Sequence, residues 1–316
     1  MSDIQISSKE LNEIVSRYNI GEVLKIERLT TSGNISYLIE TASDKYILRL
    51  CPEGHRSRSI EEIAAELELL EYLQKNKFPV LVALKDKTGQ QIISWQNHNG
   101  YIRKFSGGKE ILDPTLEQIE IFGQILGRFH SLVENYKTKL NRTHIFDLNE
   151  TKKYFFENRS EIMNSNFPQR RLFLEKYGEN INKLNFPNDL ARGMIHEDLG
   201  KRHVLWSDSH ISAVIDFDRS YYGFLLLDLG QACRGWCFVE DWKKWSYENY
   251  KHLIGGYQKT RKLPGLEKEY LIDAVKFGIL ERAQSFYIKY LAMGDEKDAE
   301  FAFDCVTKQI GLLPEK

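Results

Sequence analysis

The sequence lacks the features that mark zinc-binding, membrane-spanning or secreted proteins. Its four cysteines form no CxxC pair, which argues against a zinc site. No apolar run approaches the roughly 20 residues that a membrane helix needs. The first residues, MSDIQISSKELNEI, lack the basic and apolar regions of a signal peptide. We therefore expect a protein of the reducing cytoplasm that has no contact with membranes.

An excess of charge of either sign is missing as well. The formal net charge is -1 over 316 residues, so no global field draws the chain to nucleic acid. Internal repeats and low-complexity linkers are also missing. The length suits one large domain or two modest ones. Bulk charge therefore predicts no nucleic-acid partner, while the oligomeric state is left open.

Apolar periodicity divides the chain into a sheet-rich part and a helical part. EVLKIERL, YLIETA and YILRLC predict three antiparallel strands, with a short helix capped by Ser8 before them. The helical segment SIEEIAAELELLEYLQKN follows, and FPVLVALKD, QQIISWQ and GYIRKF predict three further strands. After SGGKE the pattern is mainly helical. We place the boundary so that residues 1–104 form a small N-terminal lobe and residues 105–316 a larger one.

The segment MIHEDLGKRHVLWSDSHISAVIDFD, residues 194–218, concentrates ionisable residues between apolar runs. It predicts a polar loop carrying Asp198 and then a strand hairpin that ends in Asp216 and Asp218. Such a hairpin would bring the loop near Asp216, and two close carboxylates are costly without a proton or cation between them. The pattern predicts a general base beside a metal ligand, or a two-ligand metal site. For either aspartate alone, a turn cap is the alternative.

Two features of the N-terminal lobe suggest a site for phosphate. The segment TTSGNIS places a glycine between two strands, where backbone N–H groups can cradle phosphate, although any hairpin needs turn residues. Arg49 lies inside the apolar strand KYILRLC. A buried cation there needs an anionic partner, and Glu66 of the next helix offers one. The alternative for Arg49 is an exposed face of the sheet.

These segments follow one another in the order of a protein-kinase-like phosphotransferase. The chain resembles the aminoglycoside phosphotransferase, choline kinase and homoserine kinase group in TTSGNISYLIET, KYILRLC, LGRFHSL, IHEDLGKRHVLW, VIDFDRS and LLDLGQA. The resemblance implies an α+β fold of two lobes, with a small antiparallel-sheet N-lobe and a larger, mainly helical C-lobe. It also implies transfer of the γ-phosphate of ATP to a hydroxyl of a small polar molecule.

The resemblance assigns roles to individual residues. Asp198 would orient or deprotonate the acceptor hydroxyl, and Asp216 would bind the Mg²⁺ that bridges the ATP phosphates. Asp228 would brace the catalytic loop by hydrogen bonds, and His130 is expected to be structural. The implied nucleotide contacts lie in the glycine turn, the strand cation with its glutamate, and the hinge-like YIRKF: Ser32, Gly33, Asn34, Arg49, Glu66, Arg103 and Phe105.

His203 departs from the pattern of this family. It stands five residues after Asp198, where the family usually has an asparagine that binds a second metal. Imidazole is a poor ligand for Mg²⁺, because this hard cation prefers oxygen. Three alternatives remain open: one Mg²⁺ suffices, a softer ion such as Mn²⁺ is used, or activity is reduced.

The helical tail is dense in aromatic and acidic residues that would line a pocket for a cationic or sugar-like acceptor, unless most of the aromatics are core. These residues are Trp236, Trp242, Trp245, Tyr247, Tyr287, Glu240, Asp241 and Glu281. Two other functions also remain open: a nucleotide-binding regulator without catalysis, and a metal-dependent phosphohydrolase. The phosphohydrolase would use His196, Asp198, His203 and Asp216 as ligands, and would leave the N-terminal sheet without a role.

Overall fold

The computed structural model describes residues 6–29, 34–51, 58–138 and 147–315. They form two compact units. The first unit extends to Lys109 and also includes Ser212–Asp218. The second comprises Glu110–Lys137, residues 147–211 and the chain from Arg219 onward. The sequence placed the boundary at residue 104 and assigned Ser212–Asp218 to the second lobe, so the two divisions differ at these points.

The first unit is built on an antiparallel sheet of five strands in the order β1-β2-β3-β5-β4. The strands are β1 (Val23–Leu29), β2 (Ile35–Thr41), β3 (Lys45–Leu50), β4 (Ile93–Trp95) and β5 (His98–Lys104). The three antiparallel strands expected at the start of the chain are therefore confirmed. Two of the three further strands, QQIISWQ and GYIRKF, are confirmed as well.

The prediction of a strand in FPVLVALKD was wrong. Val80 forms a single bridge with Val214, and Ala83 forms another with Arg103. A strand needs successive residues that pair with one partner strand. This segment instead divides its backbone between two partners, so no continuous ladder forms.

Two helices complete the first unit, α1 (Ser8–Val15) and α2 (Ile60–Lys75). The N-cap of α1 is Ser7 rather than Ser8, because only Ser7 has a glutamate, Glu10, three residues later to complete a capping box. Ser59 caps α2 in the same way. The apolar face of α1 packs into the core of the sheet, which buries Leu11, Ile14, Tyr37, Ile39 and Leu48.

The second unit is mainly helical, as the sequence predicts. Its helices are α3 (Leu116–Val133), α4 (Leu148–Glu157), α5 (Arg159–Asn164), α6 (Arg170–Lys183), α7 (Leu225–Cys237), α8 (Tyr247–Thr260), α9 (Gly265–Met293) and α10 (Glu296–Thr307). The remaining strands are short, and two of them, β6 and β9, have residues in both units. They are β6 (Lys109–Glu110), β7 (Arg192–Ile195), β8 (Val204–Ser207), β9 (His210–Val214), β10 (Tyr221–Phe224), β11 (Phe238–Val239) and β12 (Lys244–Trp245). None of the helices in the described ranges is both long and apolar enough to cross a bilayer.

The helices α3 and α8 approach each other closely through glycine. A Cβ atom at Gly123 would lie 2.2 Å from the carbonyl oxygen of Leu253, and one at Gly256 would lie 2.1 Å from that of Glu120. Real Cβ contacts are never this short, so the helix backbones touch directly at these two positions. This packing fixes the helix that carries His130 against its neighbour.

The catalytic-loop candidate occupies residues 196–203 between β7 and β8. Strand β7 pairs antiparallel with β10, and this pair fixes the start of the loop. A single 3₁₀ turn, Lys201–His203, ends it. Strands β8 and β9 then form the expected hairpin through the turn at Asp208.

Candidate active site

Asp228, in α7, holds the backbone of the loop that follows β7. This fully buried carboxylate accepts the backbone N–H groups of His196 and Glu197, each at 2.9 Å. Burial alone would raise the pKa of the Asp228 carboxyl, but the hydrogen bonds from His130 and from the backbone of His196 hold that pKa below its ordinary value. Asp228 is therefore an ionised brace of the loop, in the role that the resemblance implied.

A chain of hydrogen bonds through His130, Tyr257 and Arg261 holds the Asp228 carboxylate in place. His130 Nε2 lies 3.2 Å from the Asp228 carboxylate, which can only accept, so Nε2 carries the proton. His130 Nδ1 then accepts from the hydroxyl of Tyr257 at 2.8 Å. That hydroxyl accepts in turn from Arg261 Nη1 at 2.9 Å, and Glu267 holds Arg261 by two further bonds. His130 is structural, as expected, but its partners could not be identified from the sequence.

Asp198 is bound by two arginines of the second unit. Its Oδ1 accepts from Arg282 Nη2 at 3.0 Å, and its Oδ2 lies 3.9 Å from Arg219 Nη1. Burial would raise the pKa of the Asp198 carboxyl, but Arg282 and Arg219 hold it well below its usual range. An ionised carboxylate in this position can accept a hydrogen bond from a hydroxyl. Its role as the catalytic group remains a prediction.

Glu197, the residue before it, was not singled out from the sequence. Its backbone lies in the left-handed region, with φ of 74°, and its side chain is buried. Oε2 accepts from Arg219 at 3.2 Å, while Oε1 has no hydrogen-bond partner in the described ranges. Burial raises the pKa of this carboxyl well above its ordinary value, despite the attraction of Arg219. The only sequence signal was a glutamate inside IHEDL, which has no periodicity that reveals burial.

His203 contacts the catalytic loop through its backbone. Its Nδ1 lies 2.5 Å from the carbonyl oxygen of Asp198, and because a carbonyl only accepts, Nδ1 carries the proton. A neutral His203 therefore has its lone pair at Nε2, the atom with which it would bind a metal. Metal binding by His203 remains a prediction.

In the first unit, Arg49 is bound by two aspartates rather than by Glu66. Its Nη2 donates to Asp216 Oδ1 and to Asp218 Oδ2, the latter at 2.8 Å. The expectation of an Arg49–Glu66 pair was wrong. Glu66 accepts instead from Arg58 and from the Tyr101 hydroxyl, at 2.9 Å for the hydroxyl.

The alternative of an exposed Arg49 was wrong too, since its side chain is only 10% exposed. Burial would lower the pKa of the guanidinium, but the carboxylate of Asp216 outweighs it and raises that pKa. Arg49 is therefore a permanent buried cation, and its anions come from a segment that is distant in sequence. Arg58 provides the ion pair of Glu66 because it directly precedes the helix that carries this glutamate.

Asp216 and Asp218 converge on one cation, which makes them suitable for a divalent metal. Asp216 follows β9 with φ of 73°, a strained backbone for a residue other than glycine. Asn34 Nδ2 donates to Asp218 at 3.1 Å. Mg²⁺ is commonly held by one or two carboxylates together with substrate phosphates, so this donor set fits Mg²⁺. No group of three or more His, Cys, Asp or Glu side chains in the described part of the chain is placed to hold a metal.

The remaining nucleotide-site predictions are dispersed. Ser32 and Gly33 lie outside the described residues. Arg103 Nη1 donates to the carbonyl of Lys104 at 3.1 Å, and burial lowers the pKa of its guanidinium. Phe105 is 44% exposed at the end of β5. Of the predicted residues in the first unit, Arg49 thus contacts Asp216 and Asp218, and Asn34 contacts Asp218.

The aromatic and acidic residues of the helical tail differ in burial, and their role in an acceptor pocket remains a prediction. Trp236 and Tyr287 are core residues, and Trp236 Nε1 donates to the carbonyl of Leu199, next to Asp198. Glu240, Asp241 and Tyr247 are exposed. A separate cavity of about 270 Å³ in the second unit was not predicted from the sequence. Its lining includes Asp147, Asn149, Lys152, Asn188, Arg192 and Tyr222.

Comparison with known proteins defines the class of this chain. The model of a phosphotransferase enzyme family matches residues 26–263. The chain therefore belongs to this family. It is an ATP-dependent kinase of small molecules that uses a hydroxyl as acceptor, as the sequence predicts.

Individual relatives are distant but cover most of the chain. The homoserine kinase of Zymomonas mobilis subsp. mobilis is 27% identical over 264 residues, 81% of this chain and 78% of that protein. The homoserine kinase of Neisseria meningitidis serogroup B is 24% identical over 276 residues, 87% of each chain.

Solved structures show the same fold. Amicoumacin kinase hAmiN, in complex with AMP-PNP, Ca²⁺ and Ami, gives a TM-score of 0.73 at 14% identity and covers 97% of both chains. The structure of the microcompartment-associated aminopropanol kinase gives 0.66 at 17% identity and covers 97% of this chain and 96% of that one. The expected protein-kinase-like fold, with its antiparallel-sheet N-terminal part and helical C-terminal part, is confirmed.

Proposed function

We propose that the chain transfers the γ-phosphate of ATP to the side-chain hydroxyl of a homoserine-like amino acid. The observation that carries this proposal is Asp198, a half-buried carboxylate on a loop that Asp228 braces, with Arg282 bonded to it. Distant relatives in Zymomonas mobilis and Neisseria meningitidis are named homoserine kinases, which supports this acceptor.

Asp198 would accept the hydrogen bond of the acceptor hydroxyl and so aim its oxygen at the γ-phosphorus. As the new oxygen–phosphorus bond forms, the bond to the bridging oxygen of ADP breaks and the hydroxyl proton passes to Asp198. The bracing of the loop by Asp228 keeps this carboxylate in position, and positioning is the main task of a kinase active site.

Asp216 and Asp218 would hold a divalent metal, with Mg²⁺ preferred for their oxygen donors and Mn²⁺ as the alternative. When bound, such a metal would neutralise the negative charge of the ATP phosphates. Arg49 would then have the phosphates as a second set of anionic partners. If His203 binds a metal, it would do so through Nε2, because its Nδ1 donates to the carbonyl oxygen of Asp198.

The proposed setting is the cytoplasm, with a small-molecule partner and neither nucleic acid nor membrane. All four cysteines are buried and unpaired, which suits a reducing compartment. The phosphohydrolase alternative needs a cluster of four ligands, whereas no group of even three candidate ligands is placed to hold a metal among the described residues.

A panel of acceptors tests this proposal. ADP formation would be measured with L-homoserine, choline, 1-amino-2-propanol and an aminoglycoside, each with Mg²⁺ and with Mn²⁺. We expect the highest kcat/KM for homoserine, and ³¹P NMR should show a phosphate monoester on its side-chain oxygen. Asp198→Asn is the matched negative control. A higher kcat/KM for any other acceptor would contradict the proposed substrate.

A further inference from the structure

One oxygen of Asp198, Oδ1, already accepts a charge-assisted hydrogen bond in this structure. Arg282, near the middle of α9, donates Nη2 to Asp198 Oδ1 at 3.0 Å. Arg219 lies 3.9 Å from the other carboxylate oxygen. A hydroxyl that approaches Oδ1 has to compete with this bond, which is about twice as strong as a neutral one. A group of the acceptor that binds Arg282 in place of Oδ1 would remove this competition.

Two buried polar atoms at and beside Arg282 have no hydrogen-bond partner among the described residues. Its Nε is buried without a hydrogen-bond partner in the described part of the chain, and Glu281 Oε2 lies 3.8 Å from it. The other oxygen of Glu281, a residue with 0% exposure, also has no hydrogen bond there. Buried polar atoms in this state are costly, and a bound ligand is one way in which a protein completes them.

A carboxylate is the group that fits Arg282. Guanidinium and carboxylate match in shape, because two parallel N–H groups can face two oxygens. Nη2 donates to the carboxylate of Asp198, and Nε donates to no acceptor among the described residues. A second carboxylate could accept from Nη2 and Nε at once. An ammonium or a sugar hydroxyl offers Arg282 no comparable anion.

We infer that Arg282 selects acceptors that carry a carboxylate: this carboxylate takes the guanidinium of Arg282 from Asp198, and Asp198 is freed for the acceptor hydroxyl. Because Arg282 and Asp198 are in direct contact, the two groups of the acceptor must be only a few bonds apart. The inference rests on the proposed function, which it deepens from a homoserine-like acceptor to the residue that recognises it. Arg282 is a positioning residue in this view and takes no proton.

Three acceptors that differ by one group test the inference. L-homoserine has both carboxylate and ammonium, 3-aminopropan-1-ol lacks the carboxylate, and 4-hydroxybutanoate lacks the ammonium. For the wild type, removal of the carboxylate should lower kcat/KM roughly 10–100-fold, the range of a lost charge-assisted contact. If 3-aminopropan-1-ol reacts as well as homoserine, the inference fails while the kinase function stands. If no hydroxylated acceptor yields ADP, the proposed function itself fails.

Variants of Arg282 then show whether this residue selects the acceptor carboxylate or only supports the fold of the site. Arg282→Met should lower kcat/KM for homoserine roughly 10–100-fold but leave that for 3-aminopropan-1-ol unchanged or higher, so that the preference disappears. Arg282→Lys should retain part of the preference, because a point charge replaces a fork. Arg192→Met is the matched control, since Arg192 stacks on Phe224 at 3.7 Å outside the loop, and it should keep the full preference.

Two results would overturn the assignment. One is an equal fall of kcat/KM for all three acceptors in Arg282→Met, which would make Arg282 a purely structural residue. The other is a preference for homoserine that persists in Arg282→Met. Circular dichroism would establish that each variant is folded, and if Arg282→Met fails to fold, the same comparison decides with Arg282→Lys. Calorimetric binding of 4-hydroxybutanoate, expected to be weakened by both variants, provides a measurement that does not depend on turnover.

Discussion

Replacement of Arg49 by methionine tests whether its two carboxylate partners form a cation site. Arg49 is buried, and its guanidinium donates to both Asp216 and Asp218. Methionine keeps an apolar stem and removes the charge, so two neighbouring carboxylates lose their cation. Loss of one partner from a buried ion pair costs about 3–5 kcal/mol. Asp216 is 32% and Asp218 21% exposed, so solvent screens part of the effect and the lower end of this range applies. We expect the free energy of unfolding without metal to fall by about 3 kcal/mol.

A divalent cation should recover part of this loss in the variant. The freed carboxylates offer Mg²⁺ the oxygen ligands that it prefers. A ligand that binds only the folded chain stabilises it by about 2.7 kcal/mol at a hundredfold excess over its Kd. The wild type should gain less, because Arg49 occupies the same oxygens. Urea unfolding, followed by circular dichroism in Mg²⁺ and in EDTA, measures both effects.

The control for this experiment is Lys104→Met in β5. Lys104 pairs with Asp44 at 2.9 Å, and both side chains are about half exposed, so its loss should cost no more than about 1 kcal/mol and add no Mg²⁺ dependence. The reasoning is refuted if Arg49→Met unfolds at the same urea concentration as the wild type. Equal stabilisation of both proteins by Mg²⁺ would also refute it.

ATP affinity provides a second measurement on the same residue. Loss of a charge-assisted contact should weaken ATP binding roughly 10–100-fold in Arg49→Ala. Arg49→Lys should recover part of the affinity. Glu66→Gln should have the mildest effect, because Glu66 is held by Arg58 and Tyr101 rather than by Arg49. Unchanged ATP affinity in Arg49→Ala would remove Arg49 from the nucleotide site.

Four further predictions concern the two carboxylate groups and the loop. Asp198→Asn should lower kcat by about 10²–10⁴-fold and leave ATP affinity nearly unchanged, so turnover within a few-fold of wild type would exclude it as the base. Asp216→Ala should abolish the Mg²⁺ dependence of ATP binding in calorimetry, and persistence of that dependence would contradict its role as metal ligand. His203→Asn should preserve or raise activity with Mg²⁺ and reduce any preference for Mn²⁺, whereas loss of activity with both metals would mean that the histidine has its own function. Asp228, with its lowered pKa, contributes stability that is complete above about pH 4 and is lost as the pH falls further, so Asp228→Asn should flatten the acid limb of urea-unfolding profiles, and an unchanged limb would contradict this.

The sequence by itself determined the local elements and the class of the protein. Strands β1 to β3 and helix α2 were predictable because a two-residue or helical period records which side of an element is buried. The motifs around Asp198, Asp216 and Asp228 could also be identified from the sequence. The reactive side chains of each motif are close together along the chain, next to a short apolar segment. The family match supports this part of the prediction. The segment FPVLVALKD shows the limit, because apolar residues do not reveal whether one partner strand is available.

Only the tertiary structure decided which charges pair. Arg49 and Asp216 are 167 residues apart, and Arg282 and Asp198 are 84 apart. Glu66 was the nearer anion in sequence, but Arg58 holds it. A charged side chain has no preferred partner at a fixed spacing, because its Coulomb interaction depends on distance and burial in the folded chain. Periodicity can therefore predict that a cation is buried, whereas the packing of remote segments decides which carboxylate it meets.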